Sequence, residues 1–522
     1  MRRIYSEAGA VRIWLGEAAG GSDDAVSIIR QLQVGRSILD VELNGQALSA
    51  RDLRSFAALL YRPWWKRVWV MQEVALAHKA IFYCGNTRFT AEGLSDWISK
   101  LCDDMVTAYT ESSRQRRNTS AVVQQFEPIE LLLTPLQDLS AIATVAELVK
   151  PESTALISAI VQLTRLDATE PCDKVFGILG LLPPVFRQGI KPDYKMPAEA
   201  CYAMLTWALI LYARDLYAMC FPSKRTDATK SLLPSWSLDM SRGQAKCLDL
   251  FRWYPRSADK TWPEPFYAEL DYPTLKLKGL YIDKISSCYS IAHGLAVEDP
   301  ETSDLWYSLD VERQRHRRWQ SFFGLRFDVP LDPTNYVAGG SMSNAHYRTL
   351  VGDLCFPGID FSKKRRLHSR DIKAFHNWLY GPCSEDLDRW ALNFTKGWHA
   401  DNYCLALKPA LERANTFLFR TKRGYIGMSS GPPDIRVGDC LYFLARGAVP
   451  YALRPVRKAS GETTFDLAGT SYVHGITGRQ ATAPYNPDSK QARRDKLRRQ
   501  LFGGSKPDPR IPLHDWQEVS LE

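Results

Sequence analysis

Apolar Val11, Ile13 and Leu15 alternate with Arg12 and Trp14 and stop at Gly16, a pattern that predicts a short strand. Ser22-Asp23-Asp24 then offers an N-cap and an acidic first turn to a helix carrying Val26, Ile29 and Leu32 at helical spacing. A second helix is expected to begin near Ser49 and to bury Leu53, Phe56, Ala57 and Leu60. From Arg62 to Ala77 there is no glycine and no proline after Pro63. The stretch therefore reads as one helix with proline in its first turn, where a missing N–H costs nothing. Ala80 to Cys84, closed by Gly85, is another strand. Strand, helix, helix, helix, strand is the order of an α/β layer.

Beyond Thr90 the pattern stays mainly helical to about Phe221, with a polar interruption at Thr110 to Ser120 that reads as a loop. Cys201 to Ala213 is apolar throughout, but it falls short of the roughly 20 residues that span a bilayer, so a buried helix is expected. Leu275 to Ile282 alternates like a strand, and residues 299 to 345 read as a variable insertion. Apolar runs at 416–419, 440–445, 449–453 and 471–476, separated by glycine and proline, have the spacing of a small antiparallel β-barrel or sandwich. The expected divisions are 1–88, a helical extension 89–232, a mixed region 233–400, a β domain 401–480, and a basic, flexible tail 481–522 whose helical candidate is Lys490 to Gln500.

Composition changes this picture little. A 45% hydrophobic and 24% charged chain of 522 residues is globular, and a net charge of +9 over that length falls short of a nucleic-acid-binding signature. Glu7 and Arg12 interrupt any secretory h-region, and eleven cysteines without a C-x-x-C pair suit reduced thiols, which points to a cytoplasmic setting. Lys363 to Arg366 leaves a nuclear one open, while contact of the basic clusters at Arg313–Arg318, Lys363–Arg366 and Lys490–Arg499 with nucleic acid ranks third among readings, behind solvated surface.

The sharpest chemical candidate lies in the Arg62–Ala77 stretch. On a continuous helix Trp65, Trp69 and Glu73 would recur at four-residue steps, setting the carboxylate over an aromatic face with no cation three or four residues away. Against this stands a structural reading in which Gln72 and Glu73 make buried hydrogen bonds and the tryptophans are core.

The run Arg62-Pro-Trp64-Trp65-x-Arg67-Val-Trp69-Val-x-Gln72-Glu73-Val-Ala-Leu-Ala resembles the hallmark of the fungal heterokaryon incompatibility (HET) domain, and Ile4-Tyr5 through Ile13-Trp14-Leu15-Gly16 resembles the segment before it. Asp173-Lys-Val-Phe-Gly177-Ile-Leu-Gly180, Leu233-Pro-Ser-Trp236 to Asp239, and Arg436-Val-Gly438-Asp439 through Val449-Pro-Tyr451 to His474-Gly475 extend the likeness along the chain. The resemblance implies a partial TIR-like α/β domain in residues 1–88, a role in non-self recognition with growth arrest or cell death, and protein partners of that system rather than a membrane. It also implies that Glu73, beside Trp69, could cleave NAD as a substrate, with no metal and no bound cofactor; a carboxylate stabilises the oxocarbenium-like state of such a cleavage. Whether the chain is an enzyme stays open, because the family usually carries upstream a Ser-Tyr-x-Trp-Gly strand and an Asp-Ala-x-Cys-Ile-Asn-Gln motif. Natural truncation and a start assigned too late both fit. Val11 to Leu15, expected as an interior parallel strand, would then lack one neighbour and invite an oligomer or an edge-covering partner.

Other constellations read as structural. Asp173 suits an N-cap or a buried ion pair, Gly438-Asp439 a hairpin turn, and His474 a satisfied histidine; His399-x-Asp401-x-x-Cys404 has ligand-like composition alone.

Overall fold

The computed structural model describes residues 2–115, 153–221, 232–241, 266–291, 309–325, 335–355, 365–380, 416–430, 435–447, 449–477 and 515–522, with scattered positions between 132 and 148. His399, Asp401, Cys404 and Lys490 to Gln500 lie outside them. The chain divides into two compact units, Met1–Ala213 with Asp239–Gln244, and Arg214–Leu238 with Ala245–Glu522. Among the described residues no helix is long and apolar enough to cross a membrane.

The first unit opens with α1 (Arg2–Glu7), β1 (Val11–Trp14) and α2 (Ser22–Gln33). Ser22 is already helical, so the N-cap is Gly21, and the Ser22 hydroxyl accepts from the Ala19 N–H at 3.2 Å. After the hairpin β2 (Glu42–Leu43) and β3 (Gln46–Ala47), α3 (Ala50–Leu60) starts at Ser49 with a capping box, Asp52 Oδ2 accepting from Ser49 N at 2.8 Å. Then come α4 (Val70–Ala75), β4 (Ala80–Cys84), β5 (Thr87–Thr90) and α5 (Leu94–Gln115), the last running into the stretch expected as a loop from Thr110. β1 pairs parallel with β4, Ile13 facing Phe82, and β4 pairs antiparallel with β5. Val11 and Ile13 are buried while Arg12 and Trp14 are exposed. As expected for a parallel strand that lacks one neighbour, β1 is the sheet's outer strand, covered on one face and without a second strand beside it among the described residues. Helices Ser153–Leu163, Asp173–Leu179, Pro184–Gly189 and Ala198–Ala213 complete the unit. The apolar run expected as a buried helix is the last of these.

The second unit is built on a closed sheet. After β6 (Ala268–Asp271) comes β7 (Thr274–Ser290), twice the length the alternation predicted because it serves several neighbours in turn. Residues 275–279 pair with the terminal strand, 279–284 with the first strand after residue 435, and 285–290 with the strand at 416–421. Helices Leu309–Phe322, Met342–Leu350 and Ser369–Tyr380 and the short β8 (Leu354–Cys355) and β9 (Arg365–Arg366) lie between in sequence. β10 (Thr416–Thr421), β11 (Ile426–Ser430), β12 (Cys440–Leu444), β13 (Tyr451–Arg457) and β14 (Thr463–Val473) then close a six-stranded ring with β7, in the order β7-β10-β11-β14-β13-β12-β7. Register shifts after Arg420, Leu441 and Ala452 supply the local bends that closure needs.

Of the two β architectures expected, the barrel is the one formed, and it reaches outside 401–480. The segment expected as a flexible tail ends in β15 (Gln517–Leu521), which pairs antiparallel with β7 and touches β14 at Phe465 and Leu521. Val519 and Leu521 are buried there, and that burial holds the strand. Close packing fixes residue choice in the ring. Gly427 faces Phe419 across the β10–β11 pair, and a Cβ at Gly427 would fall on the Phe419 ring and the Tyr472 carbonyl. Asp439 is more than a turn residue: it is 2% exposed, and Arg454 donates to both its oxygens, at 3.0 and 2.9 Å.

Candidate functional site

The stretch from Arg62 to Ala77 is not one helix. Arg62 is extended and Pro63 opens a single 3-10 turn through Lys66. Arg67 then returns to extended geometry, φ −85° and ψ 131°, and forms a parallel bridge with Asp167. Val68 N donates to Asp167 O at 2.9 Å, and Asp167 N donates back to Lys66 O. The Val68 N–H and the Lys66 carbonyl are thereby committed to a distant segment, and α4 starts afresh with Trp69 as its N-cap. The same bridge places Val68 in the core, fully buried.

The break changes which tryptophan meets Glu73. Trp64 Nε1 donates to Glu73 Oε2 at 3.0 Å, and the Trp64 ring stands edge-on to Trp65 and to Phe82, centroids 5.0 Å apart in each case. Trp65 is fully buried, stacked on Phe82 at 5.3 Å, with its own N–H given to Leu59 O at 3.0 Å. Trp69 turns the other way and donates to Asp173 Oδ2 at 2.9 Å. Trp69 and Glu73 keep their four-residue step on α4, but the hydrogen bond to the carboxylate comes from Trp64, a partner that the sequence did not offer. The break falls between Trp65 and Trp69, so Trp65 is the residue that leaves the line of four-residue steps expected to end at Glu73.

Asp173 is the first residue of the helix Asp173–Leu179, half-buried, and besides Trp69 it accepts from Tyr194 OH at 2.8 Å. It is not the N-cap, a position held by Cys172, and it has no ion-pair partner among the described residues. Burial, and then this hydrogen bond, push the Tyr194 hydroxyl up to about 12, which keeps it a donor. Gln72 donates to Gly177 O at 2.8 Å, and its amide lies so close to Gly180 that a Cβ there would strike it. Both glycines of the 173–180 motif thus meet the tryptophan segment. Lys174, also buried, donates to the Thr164 and Leu166 carbonyls beyond the end of the Ser153–Leu163 helix, and burial lowers its pKa.

Glu73 is half-buried, and among the described residues Trp64 is its one hydrogen-bond partner. Tyr5 of α1 lies within electrostatic reach: burial first, then Glu73, raise its pKa, while Arg67 lowers it. A carboxylate with one oxygen held by an indole and the other uncommitted, flanked by a phenol and an aromatic face, can stabilise a developing positive charge or accept a hydroxyl. No described group of three or more His, Cys, Asp and Glu side chains is placed to hold a metal. His474 lies in the second unit, its Nδ1 at 2.8 Å from Tyr472 OH; burial, then Arg348 and Arg366, push its pKa down to about 3. Of the basic clusters, Arg317 and Arg318 are exposed and Arg366 approaches Asp353 at 3.3 Å. Neither Trp64 as the partner of Glu73 nor Asp173 as that of Trp69 was read from the sequence; the motifs supplied the residues, but no spacing joins positions 104 apart.

Comparison with known proteins gives two family matches. Residues 1–73 match the heterokaryon incompatibility protein (HET) family, ending at Glu73, and residues 383–486 match the Het-6 beta-barrel domain. Heterokaryon incompatibility protein 6, OR allele, of Neurospora crassa is 23% identical over 549 residues, covering 91% of this chain and 77% of that protein. No solved structure matches.

Proposed function

Because the chain is a fungal heterokaryon incompatibility (HET) domain protein, we propose that it acts in non-self recognition, where meeting an incompatible partner leads to growth arrest or programmed cell death. What carries the reading is the likeness to the Neurospora crassa protein along 91% of the chain, through both family-matched segments. The partners are proteins of the incompatibility system, met in the cytoplasm. Regulated overexpression in a fungal host tests it: slowed growth and loss of viability are expected, and normal growth with soluble protein confirmed in the cell would refute the toxic role. In that case the chain is a HET-fold binding or regulatory protein.

The second reading places NAD cleavage at Glu73 in a TIR-like domain. It is favoured by the single indole hydrogen bond on a half-buried carboxylate whose second oxygen has no hydrogen-bond partner among the described residues. In this reading Glu73 faces the nicotinamide-bearing ribose and stabilises the oxocarbenium-like state, Trp64 holds the carboxylate, and Trp69 packs beside it. Nicotinamide release from NAD by the purified protein is the assay. Glu73→Gln keeps the volume and removes the charge, so activity that survives it excludes Glu73.

A further inference from the structure

Two cysteines that the proposed function leaves unused lie against each other in the first unit. Cys201 Sγ is 3.3 Å from Cys172 Sγ, inside the ordinary contact distance of two sulfurs, although the residues are 29 apart in sequence. Cys172 is the N-cap of the Asp173–Leu179 helix, and Cys201 lies in the first turn of Ala198–Ala213. The segments are clamped on both sides of the sulfurs. Tyr202 OH donates to Pro171 O at 3.1 Å, and Cys172 Sγ donates to Met196 O at 3.5 Å. Closure to a disulfide needs an approach of about 1.3 Å, since a disulfide joins its sulfurs at roughly 2.0 Å.

We propose that Cys172 and Cys201 are a redox pair that oxidises to an intramolecular disulfide. With hydrogen peroxide as oxidant, the Cys172 thiol, 7% exposed against 1% for Cys201, becomes a sulfenic acid and releases one water. The Cys201 sulfur then attacks the Cys172 sulfur. The S–S bond forms, the hydroxyl leaves with the Cys201 proton as a second water, and one peroxide has oxidised two thiols. Burial, then the hydrogen bond with Cys172, push the Cys201 thiol up to about 12. A thiol so reluctant to ionise attacks slowly, while the fixed proximity of the two sulfurs favours the disulfide over the dithiol at equilibrium. The pair is therefore slow to close and hard to reopen. The product would pin the residue preceding Asp173, the carboxylate that anchors Trp69.

The test is thiol mapping on the full chain. Reduced protein is exposed to graded peroxide, unfolded in iodoacetamide, digested without reduction and mapped by mass. The expected product is a Cys172–Cys201 linked peptide pair two hydrogens lighter than the free thiols, with Cys84 and Cys220 recovered alkylated. Dithiothreitol should reverse it, and the oxidised form should melt several degrees higher. In Cys201→Ser, a Cys172 sulfenic acid should persist and be trapped by dimedone. Both cysteines recovered alkylated across the series, a sulfinic acid at Cys172 with no link, or links scattered among other cysteines would each overturn the proposal on the wild-type protein alone.

Discussion

The two sheets solve the same backbone problem in opposite ways. In the first unit β1 gives the Val11 and Leu15 amides to Lys79 and Tyr83, so the intervening amides of Arg12 and Trp14 face an edge with no strand beside it among the described residues. In the second unit β7 bends past one neighbour after another until the ring closes, and each described ring strand pairs with a strand on either side. The segment that carries the functional candidate, beside the open sheet, is tied by a few side-chain bonds: from Trp64, Trp69 and Gln72, and from Arg62 to the Leu15 and Glu17 carbonyls. The closed ring is tied by its ladder. Damage to the ring should therefore be large and global, whereas damage to the tryptophan anchors should be small and local.

Acid gives the widest expected separation between the units. Burial lowers His346 and His474 from 6.5 to about 3, and it lowers His376 too. A histidine depressed in the folded state contributes stability that is full above pH 6.5 and is lost as pH falls toward 3, because the unfolded chain takes up the proton first. For His346 and His474 the loss is about 1.4 kcal/mol per pH unit per ring. Asp353, raised by burial, works in the opposite sense above 3.8 and offsets part of this. The first unit contains one histidine, His78, and it is exposed. Calorimetry from pH 7 to pH 4 should thus show one transition falling steeply and another nearly fixed; two transitions moving together would break the comparison.

Next in size is Asp439→Ala. It strands the Arg454 guanidinium, which is 23% exposed, and should cost about 3 kcal/mol in chemical denaturation. If the cost is under 1 kcal/mol, water reaches Arg454 and the pair does not brace the ring. Gly427→Ala tests the ring at its tightest place. The added methyl meets a backbone carbonyl as well as the Phe419 ring, so relief by one rotamer is denied and a loss of about 1–3 kcal/mol is expected from the midpoint shift.

Local signals made much of this fold legible. The 11–15 alternation, the helix start near Ser49, the strand before Gly85 and the glycine-spaced strands after 416 all report on neighbours in sequence, and each element formed. What escaped was set by partners far away. Asp167 broke the Arg62–Ala77 helix, β7 doubled in length to pair with β6, β10, β12 and β15, and β15 gained its place from the Leu275–Gly279 segment rather than from its own flanks. The candidate site divides along the same line. Glu73 was legible as a residue type in a motif, but its partner was not, because the partner depends on the break.

The smallest expected effect bears most directly on that partner. Trp64→Phe removes the indole N–H and keeps an aromatic edge against Trp65 and Phe82, so the loss is that of one hydrogen bond to a half-buried carboxylate, about 1 kcal/mol. Trp69→Phe should cost a similar amount through Asp173, which keeps Tyr194 as a donor. A double-mutant cycle separates the two bonds. Trp64→Phe combined with Glu73→Gln should show a coupling of at least about 0.5 kcal/mol, whereas Trp69→Phe with Glu73→Gln should be additive within roughly that margin. If the coupling belonged to Trp69 instead, the Trp64–Glu73 hydrogen bond would be absent in solution and the four-residue step on α4 would supply the carboxylate's partner. Additivity in both pairs would leave Glu73 held by neither tryptophan.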